Sequence, residues 1–358
     1  MSPVPPKPLS PRERELHDVI LGAAWDACMR TCPPKYHPAR PTNQTRLLEI
    51  MTLTRMLGYE LLPHQLAIVA TATEVADDGW VGGPLRIQEM LLSFGRQSGK
   101  SASLVALAAD RLLLRSRSRV VWAAQLQRSA LSQVKQEFVP RMIDHGFDES
   151  VGVKLVEGSH PELRCKETGG WILLRGTSGT AKGERGTFND LLVVDELFSV
   201  DTFEPEASLT PTLSTRHKYG SASLMASTAP LEHSVFLAHK LDVHRGRANT
   251  SKSDMGFWEW AAAEPDDPAD PAVWRKAIPG LAYGLISESF IASQFEKTPL
   301  DVFRREFLNI AAPSAGEDSF VSLDTWREVE QPPTSKLRAT APVWLGIDAR
   351  QTLSLIHI

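Results

Sequence analysis

An apolar run, Met90 to Phe94, breaks into Gly95-Arg96-Gln97-Ser98-Gly99-Lys100-Ser101, and a helical pattern begins at about Lys100 and runs to about Leu114. A strand that stops at a glycine-bracketed turn and restarts as a helix leaves few folds open, because it needs a sheet around the strand and a helix packed on that sheet. The backbone N–H groups of such a turn, with the helix amino terminus, form a positive concavity for phosphate oxygens. Gly99 lets the backbone approach closely, Lys100 can reach the outer phosphates of a nucleoside triphosphate, and the Ser101 hydroxyl can ligate Mg²⁺; Gly95, Arg96, Gln97 and Ser98 complete the cradle. Gly95 and Gly99 are separated by three residues, where the common pattern has four. The loop is therefore a shortened variant, with Phe94 standing where the first glycine would be.

The flanking sequence repeats the alternation. Apolar runs at Arg119 to Ala124, Trp171 to Leu174, Leu191 to Val194 and Ser223 to Ser227, with a helix from about Arg128 to Asp144, predict an α/β fold with a parallel-rich sheet covered on both faces. Leu191-Leu192-Val193-Val194-Asp195-Glu196 is an apolar strand closing on two acids. Asp195 at its carboxyl end can share the Mg²⁺ shell with Ser101, and Glu196 can polarise an attacking water; alone, the pair would better suit a solvated strand end before a helix. Together with the upstream loop the acids point to an ATP hydrolysis site.

Other residues carry two readings each. The Gln65 amide can read an adenine edge or simply open a helix. Ser227 and Thr228, after the next strand, can sense the γ phosphate or be a polar strand end. Arg96 can contribute to transition-state charge or pair with a carboxylate. Lys182 and Arg185, in a Gly/Ser-rich segment from Gly176 to Gly186, can touch a nucleic-acid backbone or be solvated. Cys28, Cys32 and His37 supply three metal ligands but no fourth, and three cysteines in 358 residues make no disulfide framework, so packing is expected of them.

Length predicts more than one domain. Residues 1–58 read as a Pro-rich tail and accessory helices, with Leu16, Ile20 and Ala24 on one face and a break at Pro33 to Thr45; 59–230 as the ATPase core; 231–330 as a mostly helical lid and linker. Residues 331–358 read as a linker and the strand Val343 to Asp348, and the last six residues look adapter-derived, so the native protein is expected to continue. The net charge of −4 excludes a bulk polycation, so any nucleic-acid contact must be a local basic surface. No apolar stretch long enough to cross a membrane and no signal core is visible.

In order and spacing, these motifs resemble the large terminase subunit of tailed bacteriophages, over about Tyr59 to Asp348. Arg96 to Ser101 is similar to the family's shortened phosphate loop, Gln65 to its adenine motif, Asp195-Glu196 to its acidic strand end, Ser227-Thr228 to its coupling motif, and Phe303 to Asn309 to the helix before its nuclease. The resemblance implies a P-loop NTPase of the additional-strand type with a catalytic Glu196 assisted by Arg96, a helical lid, and the start of a ribonuclease H-like domain. It implies ATP and Mg²⁺ as cofactors, with Mg²⁺ or Mn²⁺ in a nuclease of which Asp348 would be the first ligand, incomplete in these 358 residues. It also implies double-stranded DNA, a portal protein and a small terminase subunit as partners, a homo-oligomeric ring on the capsid, and the cytoplasm of an infected bacterium as the place of action. The alternative is a helicase-like or repair DNA-dependent translocase.

Overall fold

Residues 9–76, 83–147, 152–177, 187–200, 202–248 and 253–311 are described in a computed structural model of the chain; all fall in one unit, Met1–Ala312. Asp348, Lys182 and Arg185 lie outside the described residues.

The chain opens with α1 (Pro11–Thr31), started by a reciprocal cap in which the Ser10 backbone N–H donates to Glu13 Oε2 at 2.8 Å and the Glu13 N–H donates to Ser10 Oγ at 3.3 Å. Its buried face is His17, Leu21, Ala24, Trp25 and Cys28. Leu16 is 51% exposed, so the apolar stripe expected through Leu16 and Ile20 is rotated by about one residue. Trp25 determines this rotation, because burying its indole edge-on against Trp258, centroids 5.6 Å apart, outweighs leaving one leucine wet. After the expected break come α2 (Leu47–Met56) and α3 (Pro63–Thr73).

The sheet then alternates as expected: β1 (Glu89–Ser93), α4 (Lys100–Leu114), β2 (Arg119–Ala124), and a helix in three pieces, α5 (Gln127–Gln133), a π turn (Val134–Phe138) and α6 (Val139–Asp144). Pro140 lacks an N–H for the helical ladder, and the widened turn before it accommodates that loss. Strands β3 (Val153–Val156), β4 (Glu162–Cys165), β5 (Trp171–Gly176) and β6 (Leu191–Val194) follow, then α7 (Glu204–Leu209), a 3₁₀ segment (Thr210–Tyr219), β7 (Ala222–Ser227) and α8 (Val235–Arg247).

The stretch expected to be mostly helical contains β8 (Met255–Glu259), which pairs in parallel with β1, Glu89 opposite Met255. Phe257 turns to one face of the sheet and Trp258 to the other, and Trp258 stacks on Trp260 at 5.5 Å. Period-two aromatics are what a strand buried on both sides requires. The helical part is therefore shorter than expected: α9 (Pro271–Ala277), α10 (Pro279–Ala282), α11 (Glu288–Lys297) and α12 (Leu300–Glu306), around a cluster of their own built on Trp274, Ile278, Ile291 and Phe303.

The strand order is β3-β4-β5-β2-β6-β7-β1-β8, parallel from β5 to β8 and antiparallel at the β3-β4-β5 edge. Alternate residues feed two cores: Leu92, Trp122 and Val193 face the side of α1 to α4, while Leu91, Val121 and Val194 face that of α7 and α8. Double burial is why these strands read as unbroken apolar runs. Strand β7 lies between β1, which carries the loop, and β6, which carries the acids. That inserted strand matches the additional-strand topology, and a parallel sheet puts all three strand ends on one edge, where such folds bind ligands.

Candidate nucleotide site

At the carboxyl end of β1, Gly99 has φ +81° and opens α4, the left-handed geometry that a glycine adopts without a Cβ penalty. A Cβ there would also lie 2.1 Å from Gln65 Nε2. Lys100, in the first turn of α4, folds its ammonium under the loop and donates to the Gly95 carbonyl at 2.9 Å and to that of Phe94. Burial pushes its pKa down to about 8, partly offset by the charges of Asp195, Glu306 and Glu196 and deepened by that of Arg96. The basic and acidic halves of the site are thus close enough to act on one another. Ser101 is exposed beside Lys100, and Gln97 is exposed with φ +55°.

Asp195 closes β6 and is buried; its N–H donates to the Ala123 carbonyl at 3.0 Å, and its Oδ1 accepts the Glu196 N–H at 2.9 Å. Burial raises its pKa to about 6, against the lowering effects of that hydrogen bond and of Lys100. Glu196 is exposed and left-handed, φ +56°. For a residue with a Cβ this conformation costs about 1–2 kcal/mol, and such strain gathers where the direction of a side chain matters. Neighbours enforce it: Ser199 Oγ donates to the Glu196 carbonyl at 2.7 Å, and the Phe198 N–H donates to Ser227 Oγ at 2.9 Å. Ser227, buried at the end of β7, is tied to the turn that aims Glu196, and Ser234 holds the same turn through the Phe198 carbonyl. Thr228 is buried beside Ser227.

Gln65 is 3% exposed, with its amide engaged by the backbone: Oε1 accepts the Leu62 N–H at 2.7 Å and Nε2 donates to the Gly99 carbonyl at 3.0 Å. It thereby takes its helix-opening reading, capping the Leu62 N–H at the start of α3, and through Gly99 it also braces the loop. His64 does the same one residue earlier, Nε2 donating to the Ser98 carbonyl at 2.9 Å with the ring stacked on Tyr283 at 5.1 Å. Arg96 takes the second of its two readings, pairing with the Glu306 carboxylate while its N–H donates to the Glu306 carbonyl at 2.7 Å. Asn309 Nδ2 donates to Ser93 Oγ and to the Trp260 carbonyl, both at 3.0 Å. Gly95 sits against this clamp, where a Cβ would fall 2.3 Å from the Phe307 carbonyl oxygen.

His64, Glu306 and Asn309 carry no role that sequence reasoning assigns. The last two sit inside the Phe303 to Asn309 stretch, whose polar residues within an apolar helix end are a usable signal. Cys28 and Cys32 are core residues, their thiols pushed up to about 12 by burial, and Cys32 Sγ donates to the Lys276 carbonyl at 3.2 Å.

These features define a phosphate-loop α/β fold with an acidic strand end facing the loop. Among solved structures, the chain is similar to the HK97 bacteriophage large terminase, with a TM-score of 0.62, 17% identity, and coverage of 75% of this chain and 56% of that one. The chain thus has the fold of that terminase and spans little more than half its length. The Thermus phage P74-26 large terminase ATPase domain also matches, at a TM-score of 0.49 and 16% identity, covering 72% of this chain and 96% of that domain. No protein-family model and no curated protein sequence matches the chain.

Proposed function

We propose that the chain is the ATP-hydrolysing part of a large terminase subunit, a motor that drives viral DNA into capsids. The observation that carries the reading is Lys100 and the Asp195-Glu196 pair meeting across β7, with Glu196 held in a left-handed turn by neighbours that include Ser227. The residues suit ATP with Mg²⁺: Asp195 is a buried carboxylate facing a cation, and Ser101 offers an exposed hydroxyl. Asp195 and Ser101 would hold the metal, which supplies neutralisation of phosphate charge when bound. Lys100 leaves the Phe94 and Gly95 carbonyls for the outer phosphates, exchanging neutral acceptors for anionic ones. Glu196 orients the attacking water and takes its proton.

Ser227 and Thr228 carry the response from the Glu196 turn into β7. Arg96, through Glu306, passes it to α12 and the helical lid. In the whole protein the reading extends to double-stranded DNA as the translocated substrate, with a portal protein and a small terminase subunit as partners. A subunit ring, a two-metal nuclease using Mg²⁺ or Mn²⁺, and action in the infected host's cytoplasm belong to the same reading. No helix among the described residues is long and apolar enough to cross a membrane.

ATP turnover by the purified chain, with and without duplex DNA, tests the motor reading. Turnover should require Lys100, vanishing in Lys100→Ala, and should rise with DNA. Turnover that survives Lys100→Ala overturns the site; turnover indifferent to DNA overturns the motor.

A further inference from the structure

Away from the phosphate loop, the antiparallel edge of the sheet carries a groove of about 1020 Å³. Strand register puts four residues in one row across β2, β5, β4 and β3: Arg119 opposite Trp171, Trp171 opposite Arg164, and Arg164 opposite Lys154. Their neighbours Ile172, Leu174 and Leu163 are buried toward α4, so the row points to the other face, where Arg164 and Lys154 are exposed. Arg175 and Lys166 line the same groove, and Glu162, paired with Arg164, is the one acid among its described lining residues. Among the described residues five cations line the groove against one carboxylate, with Asp190 beside it pairing with Arg216 at 2.7 Å and accepting the Arg119 backbone N–H at 2.8 Å; on a chain whose net charge is −4 the balance is a local basic surface.

The aromatic residues show how this surface would be used. The Arg119 guanidinium lies between two rings, 4.5 Å from the centroid of Trp171 and 3.8 Å from that of Phe188, and Arg216 continues the ladder at 4.5 Å from Tyr219. Surfaces that read single strands offer bare ring faces for bases to stack on. Here the rings are occupied by guanidinium groups, which stiffens the cations and leaves charge, in place of rings, to meet the ligand. Such a surface suits the regular phosphates of a duplex without reading its sequence.

We propose that the β2-β5-β4-β3 face is a seat for the backbone of double-stranded DNA, an assignment that rests on the motor reading for its role. Strand β5 is four strand spacings from β1, about 19 Å across the sheet, so bound DNA would sit on the sheet that carries the ATP site without entering it.

The test is fluorescence anisotropy of a labelled duplex against the full chain without nucleotide, over a salt series. Arg164→Gln with Lys166→Gln should weaken binding at least about fivefold and make the log–log salt slope shallower by about two, near 0.9 for each phosphate that is no longer neutralised. Lys276→Gln with Lys297→Gln, two exposed cations elsewhere, should leave both unchanged, and basal ATP turnover should be parental in every variant. Parental affinity and slope in the first pair overturn the proposal, as does equal weakening in the second pair, or tighter binding of a single strand of the same length. Because the assay contains no ATP, a failed hydrolysis site and a failed DNA seat give separate results.

Discussion

His64 shows how much the loop depends on a residue that does no chemistry. Its Nε2 proton is committed to the Ser98 carbonyl, its Nδ1 is buried without a partner, and burial lowers its pKa from 6.5 to about 4. A base whose folded pKa is depressed contributes stability that is whole above 6.5 and is lost as pH falls toward 4, because the unfolded chain takes up a proton that the folded one refuses. The loss should reach about 3 kcal/mol. Urea midpoints measured between those values should fall with pH in the parent and fall less steeply in His64→Gln; identical slopes would show that His64 does not carry this pH dependence. The phosphate-loop residues are legible in the sequence because their chemistry demands particular side chains at fixed spacing. The bracing roles of Gln65 and His64 are not, because a brace is defined by which carbonyl it reaches, Gly99 and Ser98 here, and those bonds join residues 34 apart in sequence.

At the scale of elements, legibility follows hydrophobic period. The runs at β1, β2 and β6 are apolar at nearly every position because both faces are buried, and the sequence places them to within a residue. Strands β3 and β4 carry charges on one face, Lys154 and Arg164 among them, and four residues of alternation is too short to stand out from a loop. Strand β8 reads as helix because its aromatic residues suit either period once α8 precedes them. Its place in the core makes a sharp prediction. Trp258 is fully buried, stacked on Trp260 and edge-on to Trp25, with its indole N–H donating to Thr71 Oγ1 at 3.1 Å. Trp258→Ala should cost about 3–5 kcal/mol in denaturant unfolding. A loss below about 1 kcal/mol would mean that β8 does not belong to the sheet's core.

In the molecule as a whole, three strand ends and one helix form a single device. The loop after β1 is clamped by Glu306 and Asn309, the acids after β6 are aimed by a turn that Ser227 at the end of β7 holds, and Lys100 feels both acids electrostatically. The order of these motifs is readable because a parallel sheet converts sequence order into neighbouring strand ends. The clamp is not, since it is made by a segment about 210 residues downstream of the loop. The decisive comparison is of the parent with Glu196→Gln, measuring ATP binding by calorimetry and hydrolysis in single turnover. Glutamine keeps the size of the side chain but cannot take a proton, so binding should stay within a few-fold of the parent while hydrolysis slows at least about 100-fold. Hydrolysis at the parental rate would show that Glu196 does not activate the water and would contradict the site as assigned.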